Sequence, residues 1–322
     1  MSTPVKSGKT GGGVILPEVK MHLVRPNAPV KGVVVRSERC TSPKSAGFVR
    51  HVDIDVSGTP LEGAFRAGQS FGVIPPGEDE RGKPHKVRLY SIAAPTRGED
   101  GAGKVLSTTV KRTIDEHWDD HRLFLGVASN YLADLQEGDE VAISGPNGKR
   151  FLLPENLGGH DYIFIATGTG IAPFRGMLLD LLEADCASKI LLIMGVPYAT
   201  ELLYHDFFLQ LQEKHEHFTY LTALSRQEQE HGGRPMYVQQ RLETDREIVL
   251  PMLSNDRTLM YICGIAGMEL GIFQELARLL TGESLEQYLQ CDPQTLADET
   301  SWSRRMIGRE IKPTERVFLE VY

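Results

Sequence analysis

The chain has 322 residues, 41% of them hydrophobic and 24% charged, which is enough for two domains with full cores and ordinary for a globular protein. A formal net charge of −8 speaks against nucleic-acid binding, and no apolar run reaches the ~18–20 residues of a membrane-spanning helix. Four scattered cysteines (Cys40, Cys186, Cys263, Cys291) form no CxxC pair, which argues against zinc, iron–sulfur and disulfide frameworks and fits a reducing cytoplasm.

The opening MSTPVKSGKTGGGV is polar and Gly-rich with no apolar signal core, so residues 1–27 read as a flexible N-terminal arm. Residues 28–155 then alternate short strand-like runs with turn residues. The runs are Lys31–Ser37, Phe48–Val56, Ser70–Ile74, Val87–Ile92, Val105–Lys111 and Glu140–Ser144, with Gly/Pro punctuation such as IPPGEDERGKP between them. That rhythm predicts an antiparallel β-barrel. After Pro154 it changes: buried-strand runs at Tyr162–Ala166, Lys189–Met194, Phe218–Leu224 and Thr258–Cys263 alternate with helical stretches. Residues 156–322 therefore form an α/β domain with a parallel sheet.

Six motifs carry chemistry. KVRLYSIA (86–93) puts a cation, an aromatic and a hydroxyl on one strand. Arg88 suits a pyrophosphate and Tyr90 offers a flat face, with Leu89 and Ser91 on the alternate side. GVASNYL (126–132) places Ser129 and Asn130 where a helix starts, a site for phosphate. ATGTGIAPFRG (166–176) follows the first strand of the second half and opens a helix, with glycines that admit close backbone approach. In LSRQEQEHGGRPMYVQQ (224–240), Ser225 and Arg226 follow the third strand, where an Arg accommodates NADP, and Tyr237 can stack on an adenine. YICGIAGMELG (261–271) leaves Cys263 and Gly264 at a strand's carboxyl end, where α/β sheets bind ligands. RVFLEVY (316–322) finishes the chain on an apolar, strand-like run ending in Tyr322.

Two stretches stand out as basic on this acidic chain. Residues 31–50 hold Lys31, Arg36, Arg39, Lys44 and Arg50 against Glu38, and residues 301–316 hold Arg304, Arg305, Arg309, Lys312 and Arg316 against Glu310 and Glu315. Both are candidate docking surfaces for an acidic partner.

Taken in order, FRAGQSFGVIPPGEDERGKPHKVRLYSIA, GVASNYLADLQEGDEVAISGPNGK, GTGIAPFR, LLY, SR…MYVQ, CGIAGME and the terminal EVY resemble the plant-type ferredoxin–NADP⁺ reductase family. The resemblance spans residues 28–290 and the last half-dozen. It implies FAD in the barrel domain and NADP(H) in the α/β domain. In that frame Arg88 holds the FAD pyrophosphate, Tyr90 lies against the flavin with Leu89 beside it, and Ser91 hydrogen-bonds near N5. Val110 and Lys111 flank the FAD adenosine, while Gly126, Val127, Ala128 and Ser129 form the phosphate turn, with Ser129 capping the helix. Thr169 contacts NADP, Ser225 and Arg226 take the 2′-phosphate with Arg234 nearby, and Tyr237 stacks on the adenine. Cys263 and Gly264 border the nicotinamide, Glu320 poises the site, and Tyr322 covers the flavin face that nicotinamide must reach. Ser91, Cys263, Glu320 and Tyr322 are the expected catalytic set.

The implied activity is hydride exchange between NADP(H) and flavin N5, coupled to one-electron transfer with ferredoxin or flavodoxin. An oxygenase reductase using a separate carrier and a non-catalytic NADP-sensing flavoprotein are the alternatives. Ala128 stands where the family commonly has Cys, and residues 284–312 do not match the family's link before the terminal strand.

Overall fold

The structure, a computed structural model, describes residues 13–117, 119–229 and 232–322. Strands β1 (Val30–Arg39), β2 (Val49–Asp55), β3 (Ser70–Val73), β4 (Arg88–Ser91) and β5 (Val105–Lys111) fall where the alternating runs predict them. A short separate hairpin follows, β6 (Ile114–Glu116) with β7 (Leu123–Leu125), then helix α1 (Val127–Asp134) and strand β8 (Glu140–Asn147). The main strands form one antiparallel sheet in the order β4-β3-β8-β1-β2-β5. It closes on itself: a bridge joins Ile92 to Thr108, and Thr108 Oγ1 donates to the Ser91 carbonyl at 2.8 Å. Alternation turns Val34, Val52, Ile54, Phe71, Val73, Leu106 and Ile143 inward, and these fill the barrel.

The second half is built of β9 (Asp161–Thr167), α2 (Ile171–Glu183), β10 (Ile190–Val196), α3 (His205–Lys214), β11 (Phe218–Leu224), α4 (Gln240–Thr244), α5 (Arg246–Leu253), β12 (Thr258–Gly264) and α6 (Met268–Leu279). The strands of its main sheet are all parallel. Continuous apolar runs such as YIFIA and ILLIM make sense here because both faces of the sheet are covered, one core lying on each side.

Residues 284–312, which do not match the expected family link, fold into α7 (Glu283–Glu286), β13 (Leu289–Cys291), α8 (Pro293–Leu296) and β14 (Ile311–Pro313). Trp302 and Ile311 join the core beneath α6, and Trp302 Nε1 donates to the Thr295 carbonyl at 2.8 Å. Tyr288 OH donates to the Leu253 carbonyl and the Thr314 amide to the Tyr288 carbonyl. The segment thus delivers β15 (Val317–Val321) onto the edge of β12, giving the order β11-β10-β9-β12-β15. The strand after β9 goes to one side and β12 to the other, so a crevice opens at the carboxyl ends of β9 and β12.

Where the sequence predicts a flexible arm over residues 1–27, residues 15–24 carry hydrogen bonds. The Glu155 amide donates to the Ile15 carbonyl, Gln69 Nε2 to Lys20, and the Val24 amide to Gly145. That stretch runs past both the barrel and the start of the second half.

Candidate functional site

A cleft of about 1010 Å³ opens where the barrel meets the crevice of the parallel sheet. Its barrel wall is β4 with Arg88, Leu89, Tyr90 and Ser91, then Thr109 and Lys111 of β5, Phe124 of the hairpin, and Gly126 to Ser129. Its other wall carries Thr169, Ala172, Glu320, Val321 and Tyr322. The simple alternation expected for β4 does not hold, because all four of its residues reach the cleft. Its ladder runs to β3, and on the other side its Ser91 end is tied to β5, while Arg88 to Tyr90 line the cleft.

On the barrel wall basic side chains outnumber the one acid, Asp79. Arg88 is exposed, with Lys86 and Lys111 beside it. Burial pushes the Tyr90 phenol up to about 12, so it stays neutral, and the Arg88 guanidinium opposes that shift. Helix α1 starts at Val127 with Gly126 as its N-cap and no side-chain cap bond. Ser129 therefore does not cap it: Ser129 Oγ sits inside the first turn, accepting from the Thr113 amide and donating to the Gly126 carbonyl, both at 3.2 Å. The free amides of that turn face the cleft with a partial positive charge. Val110 is buried in the barrel core and is not part of the cleft lining.

On the opposite wall the GTG turn packs against the end of β12. A Cβ on Gly170 would stand 2.2 Å from the Cys263 carbonyl oxygen, so only glycine lets the two backbones touch. Gly264 sits at φ +146°, and a Cβ there would meet Thr167 Oγ1 at 2.1 Å. Parallel pairing of β12 with β15 sets Cys263 beside Glu320 and Gly264 beside Val321. Cys263 is fully buried, and burial first, then the Glu320 charge, raises its thiol well above the usual range. It is a neutral thiol behind the cleft wall. Burial lifts the Glu320 carboxyl to about 7, and its Oε2 is buried without a hydrogen-bond partner. Tyr322 exposes 61% of its surface at the cleft mouth, its hydroxyl 2.8 Å from Thr169 Oγ1 and its amide donating to the Gly264 carbonyl at 3.0 Å.

Ser225, Arg226, Arg234 and Tyr237 lie outside this cleft, beyond the end of β11. That strand is two places from β9, roughly 10 Å across the sheet. Arg226 and Arg234 are exposed, and Tyr237 is 64% exposed. What holds this loop is Gln229, which sequence reasoning did not single out. Its amide group is buried, accepting from the Leu224 amide at 3.0 Å and donating to the Leu224 and Arg234 carbonyls at 2.9 and 3.1 Å.

Arg304, expected in a docking face, is engaged elsewhere. Its Nε donates to Glu269 Oε1 at 2.7 Å, and Glu269 is 3% exposed. Arg305 and Arg309 are exposed in the same stretch. No helix among the described residues is long and apolar enough to cross a membrane.

This chain is 38% identical over 261 residues to ferredoxin–NADP reductase from Spirulina, covering 79% of this chain and 88% of that protein. The chain belongs to the ferredoxin–NADP⁺ reductase family. The enzyme of Thermosynechococcus vestitus is 36% identical over 309 residues, 94% of this chain and 77% of that one. The embryo isozyme of rice is 38% identical over 285 residues, 84% and 74% of the two chains. Residues 164–273 match the model of the oxidoreductase NAD-binding domain. In three dimensions the chain is similar to ferredoxin–NADP⁺ reductase from Plasmodium falciparum, with a TM-score of 0.69 at 22% identity, over 94% of this chain and 99% of that one. The same fold appears in that enzyme's structure with 2′P-AMP, at a TM-score of 0.67 and 21% identity, again over 94% and 99%. The antiparallel barrel followed by a parallel α/β domain is the family's fold, and the chain is an oxidoreductase of that family.

Proposed function

We propose that this chain catalyses hydride exchange between NADP(H) and a bound FAD, and passes single electrons to ferredoxin. The observation that carries this reading is one cleft with a predominantly basic barrel wall on one side and, on the other, Thr169, Glu320 and Tyr322 in front of the buried Cys263.

The residues present fit an FAD. Its pyrophosphate matches the Arg88 guanidinium and the uncapped first turn of α1 at Gly126, Val127, Ala128 and Ser129. Lys111, exposed at the cleft end of β5, would lie beside the adenosine half, while Val110 stays in the barrel core. Tyr90 gives a neutral aromatic face, Leu89 lies next to it, and Ser91 a hydroxyl near the ring's reactive edge. The unpaired Glu320 Oε2 marks where a polar ligand group completes the wall. Bound FAD supplies the change from two-electron to one-electron chemistry, and the protein supplies position and electrostatics.

The chain's own groups then divide the work. Ser225, Arg226 and Arg234 hold the 2′-phosphate that distinguishes NADP, with Tyr237 stacking on the adenine. Thr169 and Gly264 guide the nicotinamide end into the crevice, and Tyr322 leaves its bond to Thr169 to make room. Cys263 stays protonated and gives the nicotinamide a neutral, polarisable neighbour. Glu320 titrates near neutrality and holds or yields a proton at its carboxyl. For the carrier, exposed Arg305 and Arg309 form a basic patch that suits an acidic protein, ferredoxin or flavodoxin, and the basic 31–50 stretch is a second, separate candidate. The test of the flavin assignment is the visible spectrum of the purified protein. A yellow protein that releases FAD on denaturation supports the reading; a colourless protein that FAD does not reconstitute contradicts it.

A further inference from the structure

Behind the cleft the two domains meet in a buried polar cluster that the proposed chemistry does not use. His51 on β2 and Thr109 on β5 stand directly opposite each other, and each is 4% exposed. Tyr204 at the start of α3 reaches across from the other domain. Its hydroxyl lies between them, 2.7 Å from His51 Nδ1 and 2.5 Å from Thr109 Oγ1. On the far side of the imidazole, Nε2 is 2.7 Å from Asp53 Oδ1 and 3.6 Å from Glu99 Oε1. At its other end the chain of contacts stops on Thr109, which lines the cleft beside Ser91.

His51, Asp53 and Glu99 bring their polar atoms within 4.8 Å of one another, as metal ligands do. A metal is nevertheless a poor occupant. Glu99 Oε1 already accepts from Ser107 Oγ and from Arg175 Nη1, both at 2.6 Å, while Arg175 Nη2 donates to Oε2 at 3.0 Å. The guanidinium of Arg175, anchored also on the Ala93 carbonyl at 3.0 Å, provides the cation.

We propose that Thr109, Tyr204 and His51 form a proton relay between the cleft wall and a buried acceptor. The direction of each bond follows from counting donors and acceptors. Nε2 faces two carboxylate oxygens, so it carries the hydrogen and neutral His51 leaves Nδ1 bare. Tyr204 then donates to Nδ1, and Thr109 donates to Tyr204. When a proton from water in the cleft joins Thr109 Oγ1, the Thr109 proton passes to Tyr204 and the Tyr204 proton to Nδ1. One proton has entered, one imidazolium has formed, and no group has been oxidised or reduced. All three bonds have reversed, so Thr109 now offers a donor to the cleft where it previously offered an acceptor.

The surroundings suit a group that titrates in place. Facing His51 are Arg36 and Glu38 from β1, Asp53 on its own strand, Glu99 ahead of β5 and Arg175 on α2, with Cys40 and Tyr204 as the remaining titratable groups. Burial disfavours the imidazolium, but the adjacent Asp53 and Glu99 carboxylates outweigh it, so the ring titrates above its ordinary value.

The relay belongs to the chain's own residues, and its cleft end is read through the flavin of the proposed function. The test uses flavin-loaded protein labelled with ¹⁵N-histidine, titrated from acid to alkaline pH. Ring ¹⁵N shifts report the tautomer and midpoint of His51, and the visible band of bound flavin reports the cleft. We expect neutral His51 as the Nε2–H tautomer and a flavin response with the same midpoint. Tyr204→Phe should keep the His51 titration and lose the flavin response; Thr109→Val should do the same and serves if the Phe variant does not fold. An Nδ1–H tautomer, or an unchanged flavin response in these variants, overturns the relay. A protein that binds no flavin defeats the proposed function alone, because the tautomer and titration of His51 still decide the relay.

Discussion

Replacing Glu320 by Gln should change how stability depends on pH, and the size follows from the structure. Burial holds the carboxyl at about 7 against 4.5 in the unfolded chain. The native state therefore binds the proton more tightly. The stability linked to neutral Glu320 is complete below pH 4.5, declines as pH rises, and is gone above about 7. A displacement of that size corresponds to about 3 kcal/mol. For an α/β domain of this length that is about 6–12 °C in Tm. Thermal unfolding of the flavin-free protein should be followed at several pH values from 5 to 8.5, for wild type and Glu320→Gln. Wild type should lose this increment across the range and the Gln variant should not. Parallel profiles would refute the claim that Glu320 is held protonated by burial without a partner. A wild type that gains relative to the variant as pH rises would refute it as well.

Three further outcomes follow from particular contacts. Gly170→Ala sets a methyl 2.2 Å from the Cys263 carbonyl, so calorimetry should show a loss of about 1–3 kcal/mol and stopped-flow a slower NADPH reaction. Gln229→Ala removes its hydrogen bonds to the Leu224 and Arg234 backbone and the one it accepts from Arg241. Steady-state kinetics should show the KM for NADPH rising about tenfold with kcat little changed. Arg305→Glu with Arg309→Glu should weaken ferredoxin reduction several-fold, less so at high salt, while ferricyanide reduction is unchanged; equal loss of both would remove the docking role from this face. Arg304 is unsuited to that experiment, since Glu there would confront buried Glu269.

The fold was largely legible because each half has its own period. Alternation over Phe48–Val56 or Val105–Lys111 and unbroken apolar runs such as KILLIM are direct consequences of one-sided and two-sided burial. The β6–β7 hairpin and the β13–β14 pair were not legible. Their strands are three residues each, too short to show a period, and the second pair is placed by Tyr288 bonding distant Leu253 and by Trp302 packing in the core. In the site, residue chemistry on one strand pointed to Arg88 and Tyr90, whereas Thr169 and Glu320 came only from the family resemblance. Gln229, Arg175 and His51 gave no such signal. Each acts through partners far away in sequence or through backbone groups, which a linear reading does not display. Ser favours the cap position, which suggests a helix beginning after Ser129, yet the N-cap is Gly126, three residues earlier.

The central claim is an NADP-specific flavin site assembled from two domains. Anaerobic bleaching of the flavin band by NADPH and by NADH, measured in parallel for wild type and Arg226→Ala, tests it most directly. The account predicts much faster bleaching by NADPH in wild type and a preference that collapses in the variant. Equal rates with the two nucleotides in wild type, or an undiminished preference without Arg226, would contradict it.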